Sequence, residues 1–146
     1  MKEQAERFRP YLSMAVICER VLQERDGVLS LIRIITQINI AGPDEEMRPT
    51  PLQLTAVVAF TAGFVRGKYR VRVRPVSPSG IEVGGAEIPA FFEGEDRGVN
   101  LIFNVGLVMK EEGIFWFDVL FEDELVTRMP LRVLYQRVAP GFPPIS

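Results

Sequence analysis

The chain has 146 residues, with 17 Lys and Arg against 19 Asp and Glu for a net charge of -2, and it is 47% hydrophobic and 25% charged. This suits one globular domain that buries roughly two thirds of its unfolded surface; it excludes a disordered chain and any global attraction to nucleic acid or anionic membranes. There is no histidine and one cysteine, Cys18. That excludes an internal disulfide, imidazole zinc sites, and serine or cysteine catalysis with a histidine base, and leaves carboxylates, lysine or tyrosine for any proton transfer.

Residues 1–10 (MKEQAERFRP) read as a charged N-terminal arm without the apolar run of a signal peptide, and only residues 2–8 look helical, too few to be stable alone. Residues 11–136 read as one all-β domain, and 137–146 as a proline-rich tail, extended and partly loose. No apolar run is long enough for a membrane-spanning helix, so the expected location is cytoplasmic. Within the domain, apolar residues recur at period two, rich in β-branched and aromatic types. Strands are expected near 12–23, 28–40, 52–62, 68–76, 82–92, 99–109, 114–121 and 125–136, with Gly, Pro, Asp and Asn clustered between them. The fold expected is a single antiparallel β-sandwich of seven to eight strands, immunoglobulin-like or C2-like.

The first strand contains a stretch, Cys18-Glu19-Arg20, that invites an active-site reading. Strand neighbours point to opposite faces, so Cys18 and Glu19 cannot form a dyad. A three-residue loop, Arg25-Asp26-Gly27, sets Glu19 opposite Arg33 and Cys18 opposite Ile34, whereas a two-residue loop would oppose Arg20 to Arg33. Cys18 then reads as a small buried hydrophobe on the face of Met14 and Val16, across from Ile34 and Ile38.

The fourth strand, KYRVRVRP, turns Lys68, Arg70, Arg72 and Arg74 to one side, a candidate anion-binding row. With the third and fourth strands as a hairpin, Thr61, Ala59 and Val57 lie opposite and no exposed aromatic interleaves, so a solvated or edge-protecting face is the preferred reading. Near the end of the chain, a Glu122-Asp123-Glu124 loop sets Phe121, Val119, Phe117 and Phe115 against Leu125, Thr127, Met129 and Leu131, with Asp118 opposite Arg128. A Lys110-Glu111-Glu112 hairpin would align the sixth and seventh strands and seat Trp116 on Gly106. Ile102, Val108, Ile114, Trp116 and Leu120 would then form one apolar outer face, a candidate interface unless a terminal segment covers it.

If every connection reverses the chain, Glu24, Asp26, Glu93, Glu95, Asp96, Glu122, Asp123 and Glu124 gather at one end, where sandwiches can hold calcium. Arg25, Arg66, Lys68 and Arg97 share that end, and no calcium-loop motif is present, so polar turns are preferred. The loop at 41–51 (AGPDEEMRPTP) and SPSG at 77–80 occupy the other end; GIEVGGAE at 80–87 is no phosphate loop. No catalytic set, metal site or cofactor motif stands out.

MAVICERVLQERDGVLSLIRI, GKYRVRVRPVSPSG and GIFWFDVLFEDELV, across about residues 13–136, resemble a family of short bacterial proteins of unknown function. The shared pattern is an early C-E with a D-G hairpin, G-x-Y with a P-x-G turn, then G-x-[FY]-x-F. The resemblance implies a small antiparallel sandwich and carries no activity. The expected function is a non-enzymatic protein-interaction or assembly module with a protein partner or a second copy as ligand. The alternatives are an apical calcium site of C2 type and anion or nucleic-acid binding through the basic strand.

Overall fold

A computed structural model describes residues 9–138, so the helical expectation at 2–8 and most of the proline-rich tail lie outside the described residues. Nine strands and no helix occur among them: β1 (Tyr11–Gln23), β2 (Leu29–Ile34), β3 (Gln37–Gly42), β4 (Thr50–Thr61), β5 (Arg66–Val76), β6 (Gly84–Glu93), β7 (Gly98–Met109), β8 (Gly113–Phe121) and β9 (Glu124–Arg137). They form one sheet in the order β2-β1-β4-β7-β6-β5-β8-β9-β3, curled into a half-barrel around its apolar inner face. The architecture differs from a seven- to eight-stranded antiparallel sandwich: the sheet is continuous and mixed, because β3 runs parallel to β9.

The ninth strand comes from the segment expected as one strand at 28–40. Arg33 is left-handed (φ 56°), and the chain turns a corner at Ile35–Thr36. There Ile35 N–H donates to Ile17 O at 2.7 Å, and Thr36 O accepts from Arg132 N–H at 3.0 Å. One short segment thus supplies both ends of the sheet, antiparallel to β1 and then parallel to β9.

β6 makes the middle of the curl. Gly84 and Gly85 pair with Leu107 and Gly106 on β7, and from Ala86 onward β6 pairs with β5 instead. Both glycines have strongly positive φ (151° and 142°), and a Cβ on Gly84 would stand 2.3 Å from Gly106 O. Backbones approach this closely only where side chains are absent.

Two expected hairpins are absent. β4 is flanked by β1 and β7, so Thr61, Ala59 and Val57 do not face β5, and β7 is flanked by β4 and β6, so Gly106 does not seat Trp116. Both short connections cross the curl instead. The β4–β5 link buries Ala62 and Val65 in the core, which a solvated hairpin turn would not do. The β7–β8 link is held by Glu111, accepting from Ser79 N–H at 2.8 Å, and Glu112, accepting from Tyr135 N–H at 2.6 Å.

The core lines the inside of the curl. Phe60, Phe103, Phe115, Phe117 and Leu131 are all but fully buried, and Phe60, Tyr69, Phe92 and Phe121 cluster with ring centroids 5.1 to 6.3 Å apart.

Candidate functional site

The first hairpin has the expected register: Cys18 pairs with Ile34, Glu24 N–H donates to Val28 O at 2.9 Å, and Gly27 is left-handed at φ 84°. Arg33 Nε lies 2.9 Å from Glu19 Oε2, so Glu19 pins the register. Cys18 shares its face with Met14 and Val16 and lies across from Ile34, as expected, and a bulge sets that face away from the core cluster. β1 carries a bulge between Leu12 and Met14, beside Ser13, which shifts the alternation by one. Leu12 packs on the core, but beyond the bulge Ala15 and Ile17 turn inward. Met14, Val16 and Cys18 therefore share the opposite face with Val57, Ala59 and Ile102, in rows such as Val16–Val57–Ile102. Ile38 stands on β3 against β9, away from Cys18. Cys18 is fully buried, and burial pushes its thiol pKa up, against a smaller opposing hydrogen bond to the Arg20 backbone.

β1 pairs with β4 only as far as Cys18, against Thr55. Beyond that point β1 and β2 run on as a two-stranded ribbon, and β2 is the first strand of the sheet, with β1 its one ladder partner among the described residues. Leu22 (39% exposed), Val28 (57%) and Ile34 (58%) project from this arm. A two-stranded ribbon in water is marginal by itself, and its outer edge presents unpaired backbone groups.

The basic row on β5 sits between β6 and β8, which changes its surroundings. Arg70 faces Asp123 at 2.9 Å, Glu122 at 3.6 Å and Glu87 at 3.7 Å, and these carboxylates, Asp123 foremost, raise its pKa. Arg72 pairs with Glu82. Arg74 reaches Asp118 at 3.1 Å, and Arg128 reaches the same carboxylate at 2.7 Å. Asp118 is 4% exposed, a buried counter-ion shared by two arginines. Aromatics do interleave, contrary to expectation: the exposed Phe91 of β6 lies 5.7 Å from Lys68 Nζ, and the Trp116 ring lies 4.9 Å from the Arg128 guanidinium. They arrive from strands that the sequence does not place beside β5. Three of the row's four cations are held by internal carboxylates, which leaves little charge for an outside anion.

The expected outer apolar face is divided. Ile102 and Val108 lie on β7, while Ile114, Trp116 and Leu120 lie on β8, with β6 and β5 between them, and Leu120 is buried. The acidic end is also partly dispersed. Tyr11 of β1 pairs with Thr61, so the turn after β1, with Glu24 and Asp26, lies at the opposite end from the 62–65, 94–97 and 122–123 turns. The extra corner at Ile35–Thr36 breaks the parity on which the grouping rested. At the end that remains, Arg97 pairs with Glu93 at 2.8 Å, Arg66 lies 3.5 Å from Glu95, and Glu124 pairs with Arg9. No three carboxylates or cysteines converge as a metal cage among the described residues.

At the other end, the 43–49 loop is fastened to β9. Tyr135 Oη donates to Asp44 O at 2.7 Å, Arg137 Nε donates to Pro43 O at 3.2 Å, and Asp44 pairs with Arg48. The SPSG turn borders a shallow cleft of about 160 Å³ lined by Ser77, Ser79, Ile81, Val108 and Lys110, without a converging set of reactive groups. No helix among the described residues is long and apolar enough to cross a membrane.

No curated protein matches the chain. A family model described as "Family of unknown function (DUF6941)" matches residues 13–134, most of the chain and nearly all of the sheet, and the chain belongs to that family.

Proposed function

We propose that this protein is a non-enzymatic protein-interaction or assembly module, and that it binds through the arm formed by β1 beyond Cys18 and β2. The observation that carries this reading is the arm's open edge together with the exposed Leu22, Val28 and Ile34. Apolar side chains grouped on one projecting element, beside backbone donors and acceptors that have no partner among the described residues, suit a partner that supplies both apolar cover and a strand. The basic face supports an anion-binding reading less well, because Arg70, Arg72 and Arg74 are committed to internal ion pairs.

Site-specific photo-crosslinking in the producing cell tests this. A photoreactive side chain at position 34 should capture a protein, whether another copy or a different chain. The same group at Arg132, on the outer face of β9, should not. Absence of any protein adduct at position 34, with the fold intact by circular dichroism, would overturn the proposal.

A further inference from the structure

The partner that best fits the open edge of β2 is a second β2. Resting on the interaction reading above, we infer that two copies of this chain pair antiparallel along β2, joining two sheets edge to edge about a two-fold axis at Leu31.

The register of the first hairpin determines which backbone groups are available. Glu24 N–H bonds to Val28 O, and pairing continues at Leu22–Ser30, Arg20–Ile32 and Cys18–Ile34. Hydrogen-bonded pairs alternate along an antiparallel ladder, so Ser30 and Ile32 bond inward to β1, Leu29 and Leu31 turn their N–H and C=O outward, and Arg33 turns its N–H outward; past the left-handed Arg33 the phase changes, and Ile35 N–H bonds inward to Ile17 O. An antiparallel partner must meet those groups. A copy of β2 centred on Leu31 does so with matched spacing: Leu31 meets Leu31, Leu29 meets Arg33, and Ser30 meets Ile32.

That register also decides the side chains. Val28 and Ile34, the two most exposed apolar residues of the arm, fall opposite each other's copies on one face. Centring on Arg33 would oppose two like charges, and centring on Ile32 would set Ser30 against Ile34. Arg33 is the only charged residue in β2, and its guanidinium is already held by Glu19, so a copy brings no unpaired charge to the seam. Natural edge strands are usually blunted by lysine, proline or inward charge, and β2 (LSLIRI) has none of these. The opposite edge strand, β3, presents Gln37 and Asn39, hydrogen-bonded to each other at 3.3 Å, a polar contrast to β2.

Sedimentation velocity of the purified full-length protein over a wide concentration range is the first measurement. A monomer–dimer equilibrium is expected, and Ile34→Lys and Val28→Lys should each weaken it by about tenfold or more, with unchanged circular dichroism. The second measurement is independent of stability: in a Cys18→Ala background, Leu31→Cys should be crosslinked between copies by a short bis-maleimide, and Asn39→Cys should not. A monomer at every concentration overturns the β2 seam, yet leaves the interaction reading standing if position 34 captures a different protein in cells. A dimer that survives both lysine substitutions, without crosslinking through position 31, also overturns it by placing the contact elsewhere.

Discussion

Asp118 is buried between Arg74 and Arg128, and each arginine keeps part of its side chain in solvent. Removing the carboxylate leaves two facing guanidinium groups without their counter-ion. Asp118→Asn should therefore lower stability by about 2–3 kcal/mol, below the 3–5 of a fully buried pair because solvent screens the arginines; urea denaturation measures it. The Asp118–Arg128 contact is legible in the sequence, since a hairpin fixes both positions. Arg74 is not, because β5 lies beside β8 through a pairing that no local turn announces. Cys18 allows a second prediction. Its thiol should resist alkylating reagents in the native protein and react only as fast as the protein opens. Burial raises its pKa above the ordinary 9.0, so the folded state keeps the proton to higher pH than the unfolded state. This contribution to stability is complete below about pH 9 and is lost as pH rises through the folded-state pKa. Cys18→Ala should accordingly show a shallower loss of stability above pH 9 than the parent, measured by unfolding midpoints across pH.

The elements themselves were almost fully legible, and their neighbours were not. Period-two patterning located eight segments to within a few residues, because strands with one buried face cannot avoid that signature. The β1–β2 register followed from charge: Glu19 opposite Arg33 is favourable, and the alternative opposes two arginines. In the last hairpin the pairs from Asp118–Arg128 outward are as expected, but the turn is tighter. Glu122 and Asp123, both left-handed (φ 47° and 66°), make a two-residue turn in which Phe121 faces Glu124, and a bulge after Val119 restores the register. The bulge at Ser13 had a larger effect, since it exchanged the faces of β1 and no residue type there signals it. Gly84-Gly85 is the converse case: two adjacent glycines in a strand mark a site of close backbone approach, and here β6 leaves β7 for β5 at that point. Gly84→Ala would press a methyl group onto Gly106 O, and it should cost about 2 kcal/mol or more, read from the urea midpoint.

For the whole molecule, the order of strands decides which parts are held firmly. β4 and β7 pair along twelve consecutive positions inside the sheet, whereas the arm beyond Cys18 has one ladder and little packed upon it. Native-state hydrogen exchange should show amides of Val21–Ile32 exchanging far faster than those of Leu54–Phe60, and the contrast should shrink when the arm is covered by a partner. The sequence placed no strand beside its true neighbour across the curl, because local patterns record burial and not adjacency. The corner at Ile35–Thr36 has a further consequence, for synthesis. β3 leaves the ribosome well ahead of β9, its one ladder partner among the described residues, which lies 95 residues farther along (Gln37 against Arg132). The nascent chain must therefore carry Ile38 and Ile40 without that ladder until β9 has been made. Closure of the curl is a late, long-range step, and the growing polypeptide has the greatest need of a chaperone just before that strand appears.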